Sequence, residues 1–160
     1  MKNVTAGVIN ESVVTKLIDT VNAGLCHGLG VAEPGKMCVE AAVCYALGME
    51  HGDRPACVSP AIRAVKIALN DSAWSSNAAR ANGMLKIAVL QLGTDENFDD
   101  LDFVRRMSEM TIGEVVPRAL RHAAEVHPDP VHKQALEDAA IKCEKDKNGT
   151  AAATCAIKRM

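Results

Sequence analysis

The chain has 160 residues, a formal net charge of −2 and a pI near 6.2, so it lacks the strong positive charge of a protein that binds nucleic acid or anionic lipid over a wide surface. Apolar residues make up 48% of the chain but aromatic residues only 2%, a composition that favours packed helices over stacked sheets. A chain of this length commonly forms one domain, which we expect over residues 1–149.

The sequence has no apolar run as long as a signal-peptide core or a membrane-spanning helix. We therefore expect a cytoplasmic protein that makes no contact with membranes. The chain contains six cysteines, and in a reducing compartment we expect free thiols, most of them buried.

The first two helices are predicted from apolar spacing and from residues that begin or end helices. Asn10 is the expected N-cap of the first helix, and apolar residues recur at helical spacing until Gly28. Pro34 suits the first position of the second helix, whose body over residues 37–47 should end at Gly48.

The third and fourth helices are predicted from serine caps. Ser59, which precedes a proline, should cap a third helix that ends at residues 70–72. The fourth helix should begin near Ser75 or Ser76 and end at Gly93.

The last third of the sequence predicts two or three further helices. An acidic connector over residues 95–102 looks like a solvated first turn. Thr111 and Glu114 have capping-box spacing, which predicts either two helices or one kinked helix over residues 101–126. Asp129 should cap a final helix that stops at Asn148–Gly149, before a short Ala-rich tail or frayed helix over residues 150–160.

The sequence contains no period-two alternation, no hairpin dipeptide between apolar runs and no internal repeat. These patterns predict an all-α fold, a compact bundle of six or seven helices.

An anion-binding site is predicted at the start of the fourth helix. Hydroxyl, amide and free backbone N–H donors meet there, and basic side chains on the third and fourth helices can face the same place. The single Trp could stack on a base or cover an apolar ring. The predicted site comprises Arg63, Lys66, Asn70, Trp74, Ser75, Ser76, Asn77 and Arg80. The alternative interpretation is an ordinary helix cap with a buried Trp.

A cysteine nucleophile is the second hypothesis. Cys38 is expected one turn into the second helix, where the helix dipole and Lys36 would lower the pKa of its thiol. His51 and Asp53 form the nearby base and orienting pair that such a nucleophile needs. The alternative is a buried structural thiol.

Two other hypotheses have weaker support from the spacing. Cys38, Cys44, His51 and Cys57 have the right number of ligands for zinc, but not the paired spacing of a structural site, so we predict no metal and no cofactor. A helix-turn-helix over residues 57–93 would have a long turn and few basic residues, so we do not expect nucleic acid as a partner.

Four segments resemble a family of uncharacterised bacterial and phage proteins. They are PGKMCVEAAVCYALG (34–48), HGD (51–53), CVSP (57–60) and LNDSAWSSNAARANG (69–83). The resemblance implies a phage or mobile-element context and assigns no catalytic residue.

The sequence as a whole predicts a non-enzymatic binding protein that recognises an anionic small molecule, such as a nucleotide signal, in a sequestering or inhibitory role. A cysteine-dependent hydrolase or transferase and a protein that inhibits a host factor are the alternatives. We also expect a homo-oligomer, because the Ala- and Met-rich helices offer more apolar surface than a few short helices need to cover.

Overall fold

A computed structural model describes residues 8–147, and its regular structure is helical. No strand occurs in this range, in which Gly30 and Met37 form one isolated antiparallel bridge. The all-α prediction is confirmed. The seven α-helices described are α1 Glu11–Asn22, α2 Val39–Ala46, α3 Pro60–Asn70, α4 Asn77–Leu90, α5 Asp100–Met110, α6 Val116–Val126 and α7 Pro130–Asp146, and a π-helical turn, Thr111–Val115, joins α5 to α6.

The chain divides into two compact units, the first ending at Asp100 and the second beginning at Leu101. Helices α1–α4 belong to the first unit, and α6 and α7 to the second. The expectation of one domain over residues 1–149 stays a prediction. Both the expected stop at Asn148–Gly149 and the Ala-rich tail lie outside the described residues.

Local capping determines where α1, α3, α4 and α7 begin, as predicted. The side chain of Asn10 accepts a hydrogen bond from Val13 N at the start of α1. Ser59, Ser76 and Asp129 accept equivalent bonds at the starts of α3, α4 and α7. Each cap satisfies a backbone N–H that has no partner within its helix.

The predicted start of α2 was wrong. Pro34 precedes the helix, which begins at Val39 with Cys38 as its N-cap. The cause is a backbone pairing that the local sequence does not reveal: Cys26 N donates to Met37 O at 3.0 Å, and Cys38 N donates to Leu29 O at 3.2 Å. These bonds hold residues 37 and 38 outside the helix.

Helix α2 lies in the core of the first unit. All but one of its residues are buried, and they pack against Leu17 and Val21 of α1 and Met84 and Ala88 of α4. Alanine and valine dominate α2, which lets the neighbouring helices approach closely. Any charged side chain on α2 is therefore taken out of water.

The predicted division of residues 101–126 into two helices is confirmed, since α5 and α6 cover this range, but the predicted capping box was wrong. Met110, which precedes the π turn, has helical φ and ψ angles of −64° and −45°, and no side chain caps the turn. Pro117 in the first turn of α6 has no N–H to donate. The residues just before it, Thr111–Val115, form a wider π-helical turn. Helices α6 and α7 then pack against each other, and Ala124, Leu136 and Cys143 are buried. None of the described helices is long and apolar enough to cross a membrane.

Candidate functional site

The eight predicted anion-site residues differ in exposure. Lys66, Asn70 and Arg80 are buried, whereas Ser75 and its two successors are exposed. Arg63 and Trp74 are half-buried. The described structure has a cavity of about 50 Å³ beside Cys38 and a larger one along α1, and among the eight residues only Asn70 lines either of them. The structure therefore brings part of the set together, but not around an open pocket.

Arg80 is held by three oxygen atoms near the start of α4. Its Nε donates to Asn70 O at 2.7 Å, and its Nη1 donates to Leu25 O at 3.1 Å and to the side-chain oxygen of Asn77 at 2.6 Å. Only 6% of Arg80 is exposed, whereas Asn77 is exposed. The guanidinium is thus fixed in place, with Asn77 as the partner on its outer side.

Asn70 links the end of α3 to the start of α2. Its side-chain oxygen accepts from Val39 N at 3.2 Å, and its amide donates to Cys26 O at 2.9 Å and to Asp71 Oδ1 at 2.8 Å. These contacts use both the oxygen and the nitrogen of the side chain. Asn70 therefore has a structural role at this position.

Ser76 has the role that the alternative interpretation gives it, whereas Trp74 packs against the core but is only half-buried. The indole of Trp74 donates to Leu69 O at 2.8 Å, and its ring lies against Gly83, where an added Cβ would overlap the ring. Ser76 caps α4. Both side chains keep solvent access, so neither role prevents contact with a ligand.

Lys66 forms a buried ion pair with Glu40 of α2. Its Nζ lies 3.3 Å from Glu40 Oε1, and the two side chains are 2% and 0% exposed. Burial lowers the pKa of Lys66 to about 8 and raises the pKa of Glu40. Gln91, the C-cap residue of α4, lies beside them, and the side-chain oxygens and nitrogens of these three residues have no hydrogen-bond partner with good geometry in the described structure.

Arg63 and Arg80 have no contact partner in common. Arg63 pairs with Asp53, whose carboxylate is 3.7 Å from Arg63 Nη1 and 3.9 Å from Arg54 Nε. Arg63 also donates to the backbone oxygen of Asp53 at 3.4 Å. These contacts fix the loop before α3.

Cys38 is the N-cap of α2, and its sulfur accepts from Ala41 N at 3.4 Å. Burial raises the pKa of its thiol, the opposite of what a nucleophile needs. Cys38 and Asp53 line the same cavity of about 50 Å³, which His51 does not line. His51 instead donates to Gly30 O at 3.1 Å. The predicted base is therefore engaged elsewhere.

The other thiols also have a structural character. Burial raises the pKa of Cys57 and raises that of Cys44 to about 11. Cys26, Cys38, Cys44, Cys57 and Cys143 are free thiols. Within residues 8–147, no three histidine, cysteine or acidic side chains are grouped as metal ligands.

A larger cavity lies along α1, beside Pro34 and Tyr45, and sequence reasoning missed it. This α1 groove has a volume of about 670 Å³. Lys16 reaches across it: its Nζ donates to Tyr45 O at 2.7 Å and lies 4.2 Å from the centre of the Tyr45 ring. The groove is lined by Glu11, Ser12, Thr15, Lys16, Asp19, Thr20, Pro34 and Tyr45. The sequence feature that could have indicated this groove is the polar face of the first helix.

Comparison of the chain with protein-family models, with curated proteins and with solved structures gives no match. The resemblance to a bacterial and phage family stays a prediction.

Proposed function

We propose that this chain is a non-enzymatic binding protein for an anionic small molecule, with a nucleotide as the expected class. The proposal rests on one observation, the fixed guanidinium of Arg80 beneath the exposed Asn77 at the start of α4. A guanidinium held by carbonyl groups is oriented before a ligand arrives, which lowers the entropy lost on binding. A phosphate or carboxylate oxygen would replace Asn77 Oδ1.

The surroundings of Arg80 support an anion over a cation. Ser76 and the residues after it place backbone N–H groups at the positive end of the α4 dipole. Ser75 and Ser76 are exposed and carry hydroxyl donors, and Trp74 keeps a partly exposed ring that a base could contact. We assign Arg63 and Lys66 no contact with the ligand, because their described partners are Asp53 and Glu40.

A cysteine-dependent hydrolase or transferase is the second candidate, favoured only by the cavity that Cys38 and Asp53 share. The raised pKa of Cys38 and the engagement of His51 with Gly30 O weigh against it. We therefore favour binding without catalysis.

We also propose a homo-oligomer, a cytoplasmic location and a sequestering or inhibitory role in a phage or mobile element. Free buried thiols such as Cys44 and Cys57 fit a reducing compartment. The exposed apolar side chains of Leu101 and Val104 on α5 fit association with a further surface.

The test is calorimetry with a panel of nucleotides, cyclic dinucleotides and ADP-ribose derivatives on Asn77→Asp and on the matched control Asn82→Asp. Both residues are exposed on α4, so the two variants change net charge equally. The carboxylate that Asn77→Asp introduces would form a fixed ion pair with Arg80 and repel the ligand. We therefore expect affinity to fall about ten- to a hundredfold, against little change for the control. Equal losses in both variants, or no anion bound by the wild type, would contradict the proposal.

A further inference from the structure

The α1 groove is the larger of the two cavities described, and it shares no residue with the predicted anion site. Its volume is about 670 Å³, and it is a shallow groove open to solvent, a shape that suits an extended ligand better than a compact one. Its chemistry differs from that of the α4 start.

One end of the groove accepts cations. Lys16 Nζ lies over the face of the Tyr45 ring and donates to Tyr45 O in the last turn of α2. Aromatic faces and helix C-termini both attract positive charge, and α2 has no basic residue of its own in its last turn. This end of the groove therefore already binds one ammonium group, that of Lys16.

The α1 side of the groove carries two exposed carboxylates, Glu11 and Asp19. They are eight positions apart on one helix, so their Cα atoms are about 12 Å apart along its axis. Thr15 lies between them on the same face and adds a hydroxyl. With Lys16 engaged by Tyr45, the remaining charge of the groove is negative.

We propose that the α1 groove binds a linear aliphatic polyamine. Ammonium groups about 12 Å apart would pair with Glu11 and Asp19, and an amine nearer Tyr45 would compete with Lys16 for the ring face and the carbonyl. The aliphatic segments would lie against Pro34 and the Tyr45 ring. This site is independent of the anion site on α4.

The experiment is calorimetry with spermidine, and with the shorter diamine putrescine, at constant low ionic strength. Spermidine should bind more tightly than putrescine, because only the longer chain reaches both carboxylates. Glu11→Gln and Asp19→Asn should each weaken spermidine binding about two- to fivefold, the size expected of one exposed ion pair. Glu96→Gln is the control, since Glu96 is exposed and does not line the groove.

A second pair of variants tests competition by the intrinsic lysine. Lys16→Met should tighten spermidine binding about two- to fivefold, because it removes a competing ammonium. Lys86→Met changes net charge equally at an exposed position outside the groove, and should change affinity less. The proposal is overturned if spermidine does not bind, if Glu11→Gln and Asp19→Asn match Glu96→Gln, or if both lysine variants shift affinity equally. All these side chains are exposed, so folding should persist.

Discussion

Replacing Lys66 by Met should destabilise the protein because Glu40 would lose its only ion-pair partner described. The Lys66 Nζ to Glu40 Oε1 distance is 3.3 Å, and the side chains are 2% and 0% exposed. Methionine keeps most of the apolar length of lysine, so the change mainly removes the charge. Glu40 must then stay as an isolated buried carboxylate or take up a proton.

The cost of that proton can be worked out from the pH. An unperturbed Glu has a pKa of 4.5, and pH 7 is about 2.5 units above that value. Protonating Glu40 at pH 7 therefore costs about 3 kcal/mol. At pH 5 the same proton costs about 1 kcal/mol. The sign follows from linkage: a folded pKa above the unfolded one gives stability that is lost as pH rises. Lys66→Met should therefore cost about 3 kcal/mol at pH 7, and less at pH 5.

Urea denaturation followed by circular dichroism at pH 5 and pH 7 measures this difference. The double variant Glu40→Gln/Lys66→Met is the control, because it removes both charges and keeps the shape of the carboxylate side chain. Its free energy of unfolding should lie within about 1 kcal/mol of the wild type at both pH values. A pH-independent loss in Lys66→Met, or an equal loss in the double variant, would refute the reasoning.

Four further predictions concern single measurements. Between pH 8 and pH 10, the free energy of unfolding should rise in the wild type relative to Lys66→Met, because folded Lys66 releases its proton near its pKa of about 8 while the unfolded chain keeps it. Arg80→Met should cost about 2–4 kcal/mol in urea denaturation, since two backbone carbonyls lose their charged donor. Cys38 should react slowly with iodoacetamide below pH 8, and rapid labelling detected by mass spectrometry would contradict its structural role. Gly83→Ala should displace Trp74, shift its fluorescence and cost about 1–3 kcal/mol.

Helix starts that depend on local bonds could be predicted from the sequence. Ser59, Ser76 and Asp129 each accept from a backbone N–H two or three residues further along, so the cap and its partner lie in one short segment. The start of α2 could not be predicted in this way. It depends on the pairing of Cys26 with Met37 across a loop, and no helix propensity records that contact.

The predicted site shows the same division between local and distant contacts. Ser76 and Asn77 were correctly placed at the start of a helix, but the partners of the buried polar residues are distant in sequence. Arg80 binds the carbonyl of Leu25, which is 55 positions away, and Lys66 pairs with Glu40. One signal could have been found: Glu40 is an acidic residue within an otherwise apolar helix, and such a residue needs a buried partner.

The internal contacts of Arg80 limit what a ligand at α4 can gain. An anion that replaces Asn77 Oδ1 leaves the bonds to Leu25 O and Asn70 O intact, so binding does not weaken the link between these segments. An anion that required the whole guanidinium would break both bonds and leave buried carbonyls unpaired, at a cost of about 1–3 kcal/mol each. Arg80 can therefore supply about one charge-assisted contact, worth roughly 1.5–3 kcal/mol. Micromolar affinity needs about 8 kcal/mol, so most of it must come from the α4 N–H groups, the serine hydroxyls and the ring of Trp74.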